Sequence, residues 1–160
     1  MERSVVNGIH LPTVRNIEEA AEYGQDFGAV LTAGPAAFEV RFGHPNHRVW
    51  EFDDAHLAAF AASRRQVKEM IVWGTDQPDL LVHCHAGMSR STAVAWGISM
   101  ARGLKPDVAL AALYEAHPWE HHGEKRLFIP NVVIVQYLES LLGIPGLREM
   151  RDELVGDRGW

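Results

Sequence analysis

The segment Leu80–Arg102 constrains the fold of this chain more than any other. It opens with an unbroken apolar run, Leu80-Leu81-Val82-His83, bounded by Pro78 and by a turn at Gly87. Such a run reads as a short, buried strand. From Ser91 to about Arg102 the chain is apolar nearly all round (Ala93, Val94, Trp96, Ile98, Met100), the pattern of a buried helix. Gly103 supplies a C-terminal cap. Ala29–Thr32 and Val49–Phe52 read as two further strands. Short apolar runs alternating with helical patterns predict an α/β fold: a small, mainly parallel sheet with helices on both sides.

The remaining helices follow from spacing. Leu57, Phe60, Val67 and Ile71 fall on one helical face, with Arg64, Arg65, Lys68 and Glu69 on the polar remainder. Asp53 or Asp54 is placed to cap that helix. Pro106 suits the first turn of the next one, which ends before Pro118. A last long helix runs from Asn131 to Gly143. Its start, Val132–Val135, also fits a strand, but Tyr137, Leu138, Leu141 and Leu142 extend the helical pattern. The charged tail after Pro145 takes no placement. With 160 residues and no repeat, low-complexity stretch or linker, residues 1–160 read as one domain.

Composition narrows the function classes. Hydrophobic residues make up 47% and charged residues 22%, an ordinary globular balance. The net charge of −6 lacks the basic footprint of a nucleic-acid binder and gives no reason to seek anionic membranes. No apolar run approaches the roughly 18–20 residues that span a bilayer. Met1–His10 has no apolar core of a secretory signal, so the expected compartment is the cytoplasm. The chain has one cysteine, so an internal disulfide is impossible.

That cysteine sits where chemistry is expected. Leu80–Thr92 (LLVHCHAGMSRST) runs from strand through loop into helix. Loop N–H groups and a helix N-terminus together make an anion site. Cys84 opens the loop and Arg90 closes it, so both can face one phosphate. A thiolate stays nucleophilic beside an anion when a helix N-terminus and nearby cations keep it ionised. Arg90 offers two parallel donors to phosphate oxygens, which lysine cannot copy. Gly87 permits the tight turn. Ser91 is placed to hydrogen-bond the Cys84 sulfur, and His83 to orient the loop through backbone carbonyls.

His83-Cys84-His85-Ala86-Gly87-Met88-Ser89-Arg90-Ser91 matches the HCxxGxxR(S/T) signature and so resembles the cysteine-based protein tyrosine phosphatases. The mid-chain cysteine is similar to the dual-specificity type, and VHCHAGxSRST is similar to small bacterial or phage predicted tyrosine phosphatases. The resemblance runs roughly from Ala29 to Gly143 and leaves out the segment before Ala29 and the tail. It implies a phosphatase fold, and His85, Ala86, Gly87, Met88, Ser89 and Arg90 around the phosphate. It also implies that Pro130-Asn131 supports the loop. It places a general acid well upstream of the cysteine, on a loop after a strand, at the separation where two aspartates stand. Asp53 lies 31 positions before Cys84 and Asp54 lies 30. Alternation of Trp50 and Phe52 continues to Asp54 and favours it as the acid, with Asp53 as the helix cap.

The expected reaction is phosphomonoester hydrolysis through a phosphocysteine, with no cofactor and no metal. The expected partner is a phosphorylated protein or peptide, phosphotyrosine first and phosphoserine or phosphothreonine second. The loop lacks the lysines that a polyanionic inositol lipid would call for. The rivals are a phosphate-binding module without turnover and, disfavoured by the full signature, a sulfurtransferase or arsenate reductase. Among the nine histidines, His44, His47, His117, His121 and His122 read as loop packing, since their spacing matches no zinc motif. Arg126 reads as a solvated charge. Trp50, Trp73, Trp96 and Trp119 read as core or rim packing.

Overall fold

The structure is a computed structural model that describes residues 3–34, 43–55, 61–117 and 128–156. Strand β6 (Leu80–His83) lies inside the sheet, and all four of its residues are buried. Its lack of polar alternation has this cause, because both faces are covered. The sheet has four strands in the order β3 (Thr13–Arg15), β6, β4 (Ala29–Ala33), β5 (His47–Trp50), and every pair is parallel. The register sets Arg15 on one side of His83 and Thr32 on the other. A separate antiparallel hairpin joins β1 (Val5–Val6) to β2 (Ile9–His10). Its turn, Asn7-Gly8, has positive φ at both residues, as a two-residue hairpin requires.

Helices cover the two faces unequally. Helix α1 (Ile17–Tyr23) lies on one face, where Ala20, Phe27, Val30 and Leu81 form a small cluster. The larger cluster fills the opposite face, under α2 (Arg64–Thr75), α3 (Arg90–Ala101), α4 (Pro106–Ala116), α5 (Val132–Leu142) and α6 (Leu147–Val155). Helix α3 is buried on every side up to Met100, as its uniform apolarity predicts. It passes close to two neighbours at Gly97, where an added Cβ would stand 2.5 Å from Leu138 and 2.6 Å from Ile71. This is the fold class expected from the sequence, a parallel sheet with helices on both sides. No described helix is long and apolar enough to cross a membrane.

Four local expectations need correction or extension. Helix α2 starts at Arg64, where the side chains of Ser63 and Gln66 form a reciprocal capping box, so neither Asp53 nor Asp54 caps it. The expected first residues of that helix, Leu57 and Phe60, lie outside the described residues. Strand β5 is His47–Trp50, two residues earlier than expected, and past its end the Phe52 N–H still donates to the Gly34 carbonyl at 3.3 Å. His47 is therefore a strand residue, not a loop residue. The tail folds as α6, whose polar sequence hides an inward Arg151. The segment before Ala29 supplies a sheet strand and a helix. The caps at Asn131 and Gly143 and the first-turn Pro106 stand as expected. His121, His122, Trp119 and Arg126 lie outside the described residues.

The capping box gives a test of the α2 start. Ser63→Ala removes an acceptor for the Gln66 N–H and is expected to cost about 1 kcal/mol in urea unfolding. A neutral or stabilising result would place Ser63 in a helix interior and the start of α2 further upstream.

Candidate active site in the loop after the central strand

Four carbonyls of the loop from Cys84 to Ser89 are held by groups outside it. The Cys84 carbonyl accepts from His83 Nδ1 at 3.1 Å. The His85 carbonyl accepts from Ile17 N at 2.9 Å, at the start of α1. The Met88 carbonyl accepts from Ile129 N at 2.8 Å and from the Thr92 hydroxyl at 2.8 Å. The Ser89 carbonyl accepts from Asn131 N at 3.0 Å. A planar trans peptide sets its N–H opposite its carbonyl. The N–H groups of His85, Ala86, Ser89 and Arg90 therefore face the concave side. Gly87 N–H points at Cys84 Sγ, 3.3 Å away. This arrangement of donors suits an anion.

Gly87 is fixed by two constraints. Its φ is +72°, and an added Cβ would lie 2.8 Å from the Arg15 carbonyl carbon and 2.8 Å from Asn16 N. Those are backbone atoms at the end of β3, with no room to yield. The segment before Ala29, which the resemblance left out, thus forms a wall of the site. Ile17 and Arg15–Asn16 escaped sequence reasoning because their backbone acts, and backbone leaves no residue-type signal.

The other predicted residues converge on the same loop. Cys84 is 2% exposed at its mouth, with Ser91 Oγ 3.1 Å from the sulfur. When the sulfur is a thiolate the hydroxyl is the donor. Arg90 is 7% exposed and donates from Nη1 to the Phe52 carbonyl at 3.3 Å, which ties it to the strand end that carries the aspartates. Asp54 is half-buried, and its Oδ1 accepts from Ser89 Oγ at 2.8 Å and Asn131 Nδ2 at 2.9 Å. Asp53 is exposed. Asn131 also donates to the Ala55 carbonyl and accepts from Val133 N and Ile134 N, so one side chain caps α5 and holds the aspartate segment. His85 is exposed at the rim, while Ala86 and Met88 are half-buried.

Two supports come from residues that sequence reasoning left out. Arg151 on α6 is buried and donates from Nε to the Pro130 carbonyl at 2.8 Å, bracing the residue before Asn131. Thr32 on β4 stands 2.6 Å from His83 Nε2. Burial pushes the His83 pKa down to about 4, against the raising effect of the Cys84 carbonyl and with help from His47 and Arg90. The ring is neutral at pH 7.

No family model matches the chain, and no curated protein matches it. Solved structures do. The chain is similar to the human tyrosine phosphatase-like serine/threonine/tyrosine-interacting protein at 19% identity, covering 89% of this chain and 95% of that one, with a TM-score of 0.57. It is similar to the Cydia pomonella PTP-2 phosphatase at 18% identity, covering 87% and 89%, with a TM-score of 0.58. It is also similar to Tk-PTP at 20% identity, covering 92% and 96%, with a TM-score of 0.51. The shared feature is the fold, that of the protein tyrosine and dual-specificity phosphatases.

The buried His83 makes stability depend on pH with a definite sign. Its folded pKa of about 4 lies below the ordinary 6.5. Between those values the unfolded chain binds a proton that the folded chain does not. Its contribution is fully present above pH 6.5 and is lost as pH falls towards 4, by about 3 kcal/mol in all. Urea unfolding from pH 7 to 4.5 is expected to show this fall, with a shallower fall in His83→Asn.

Proposed function

We propose that this chain is a cysteine-dependent phosphomonoester hydrolase of the protein tyrosine phosphatase type. The observation that carries the proposal is the convergence on one loop. Cys84 Sγ meets the Gly87 N–H and the Ser91 hydroxyl, and Ser89 of the same loop holds the Asp54 carboxyl. The phosphatase fold supports it.

The route has two balanced steps. Cys84 thiolate attacks phosphorus in line, the P–O ester bond breaks, and Asp54 gives its proton to the leaving oxygen. Asp54, now a carboxylate, takes a proton from water as that water attacks phosphorus, and the S–P bond breaks. Ser91 donates to the departing thiolate. Arg90 and the loop N–H groups hold the three equatorial oxygens throughout. The route asks for no metal or cofactor. Asp54, not Asp53, is assigned the acid role, because it is the one tied to the loop.

The substrate proposed first is phosphotyrosine in a protein or peptide, with phosphoserine and phosphothreonine as the dual-specificity alternative. A single domain working in the cytoplasm is part of the same reading. The second reading is a phosphate-recognising module without turnover. It is favoured by the fold neighbour described as phosphatase-like and interacting. Hydrolysis of an aryl phosphate by the purified chain separates the two.

Cys84→Ser is expected to abolish that hydrolysis while inorganic phosphate still binds; appreciable turnover in this variant would refute the covalent route. Asp54→Asn is expected to lower kcat by about 10²–10⁴ with poor leaving groups, and much less with good ones. Asp53→Asn is expected to change little in the same series. If Asp53→Asn carries the leaving-group dependence, the acid is Asp53.

A further inference from the structure

Helix α2 turns one stripe of side chains to solvent. Lys68, Val72 and Asp76 follow one another at intervals of four residues, and all three are exposed. Residues four apart share a helix face. Val72, at 59%, is the most exposed large hydrophobic side chain among the described residues. The same three residues form a ridge between two clefts. One, of about 530 Å³, is also lined by Trp50 and Trp73, and the other, of about 370 Å³, by Leu141 and Leu142. Among the described residues, neither the Lys68 ammonium nor the Asp76 carboxylate has a hydrogen-bond or ion-pair partner. The nearby Glu69 carboxylate is engaged elsewhere, accepting from Trp50 Nε1 at 3.1 Å and from Arg65 Nε at 2.9 Å.

The charges of α2 also run against its own dipole. A helix favours anions at its N-terminus and cations at its C-terminus. Here Arg64 and Arg65 open the first turn, which holds no acidic residue. Asp76 is the C-cap, and the last turn holds no basic residue. A second helix lying antiparallel alongside, with the same charges, corrects both ends at once. Its basic N-terminal half meets Asp76, and its own Asp76 meets the basic half of the first.

We propose that this face of α2 binds a second copy of the chain, with the two α2 helices antiparallel about a twofold axis at Val72. Lys68 and Asp76 lie on opposite sides of Val72, each about 6 Å away along the helix. The axis therefore sets Lys68 of each copy level with Asp76 of the other, and both ion pairs form together. This is the self-complementarity that a twofold contact demands. Parallel pairing would set Lys68 on Lys68 and Asp76 on Asp76. A partner of one charge sign would match only one of the two. The Val72 ridge of each copy also meets a cleft beside the ridge of the other, as helix packing requires. None of the three residues enters the two-step route above, so the inference stands apart from that reading.

Sedimentation equilibrium of the purified full chain tests this by charge reversal, with circular dichroism to confirm that each variant is folded. The unaltered chain is expected to dimerise with a dissociation constant between about 1 μM and 1 mM, the range of a small interface. Val72→Asp is expected to be monomeric over the same concentrations. Lys68→Asp sets carboxylate against carboxylate at both pairs, and Asp76→Lys sets ammonium against ammonium. Each is expected to weaken dimerisation at least about tenfold, since two exposed pairs change sign together. An equimolar mixture of these two variants restores both pairs across the axis and is expected to dimerise like the unaltered chain, as is the chain that carries both substitutions. An unaltered chain that stays monomeric up to about 1 mM overturns the proposal and leaves the face to some other macromolecule. A folded Val72→Asp that dimerises like the unaltered chain overturns it too. So does a mixture that associates no more tightly than either variant alone, because the antiparallel axis would then be wrong.

Discussion

A trans peptide that turns its carbonyl one way turns its N–H the other, and the loop after the central strand is built on that constraint. Four of its carbonyls are tied down from outside: by His83, by Ile17 at the start of α1, by the segment Ile129–Asn131, and by Thr92 in α3. No single tether is strong, since one hydrogen bond is worth about 1 kcal/mol net. Together they leave the loop no other way to face. The corresponding N–H groups face the concave side, and an anion is a partner they suit.

The tethers come from elements far apart in the chain, and this explains why so much of the fold surrounds so short a loop. Strand β3 blocks Gly87 with its backbone. Helix α6 reaches the loop at second hand: Arg151 grips the Pro130 carbonyl, and Asn131 next to it holds both the Ser89 carbonyl and the Asp54 carboxylate. A buried arginine that lost this carbonyl would be costly. Pro130 and α6 therefore hold each other in place. The candidate nucleophile and the candidate acid thus share one scaffold, although the whole of α2 and β6 lies between them in the chain.

The sequence was most legible where residue type carries the physics. The run LLVH, the all-round apolar helix behind it, Pro106 and Gly143 each have a local cause, and each stands where it was read. So does the group Cys84, Gly87, Arg90 and Ser91, because thiolate, turn and guanidinium chemistry admit few substitutes. Asp53 and Asp54 were separable only by strand alternation, and burial sets them apart in the structure. Helix α2 was read too early because Leu57 and Phe60 extend its period, while Ser63 and Gln66 stop it by a local hydrogen-bond pair. That pair was present in the sequence as a capping pattern, as Asn7-Gly8 was as a hairpin turn.

The sequence alone determined the central strand, the buried helix and the Cys84–Arg90 loop between them, because hydrophobic periodicity and side-chain chemistry act over short stretches of chain. Tertiary structure alone decided what holds that loop open. Arg15 and Ile17 meet it through backbone atoms, while Thr32 and Arg151 reach its supports through buried side chains, at His83 and at the Pro130 carbonyl. Their identities signal nothing in isolation. Parallel pairing brings Thr32 on β4 to His83 on β6, with β5 and α2 between them in the chain. Sheet register, not residue spacing, makes that contact.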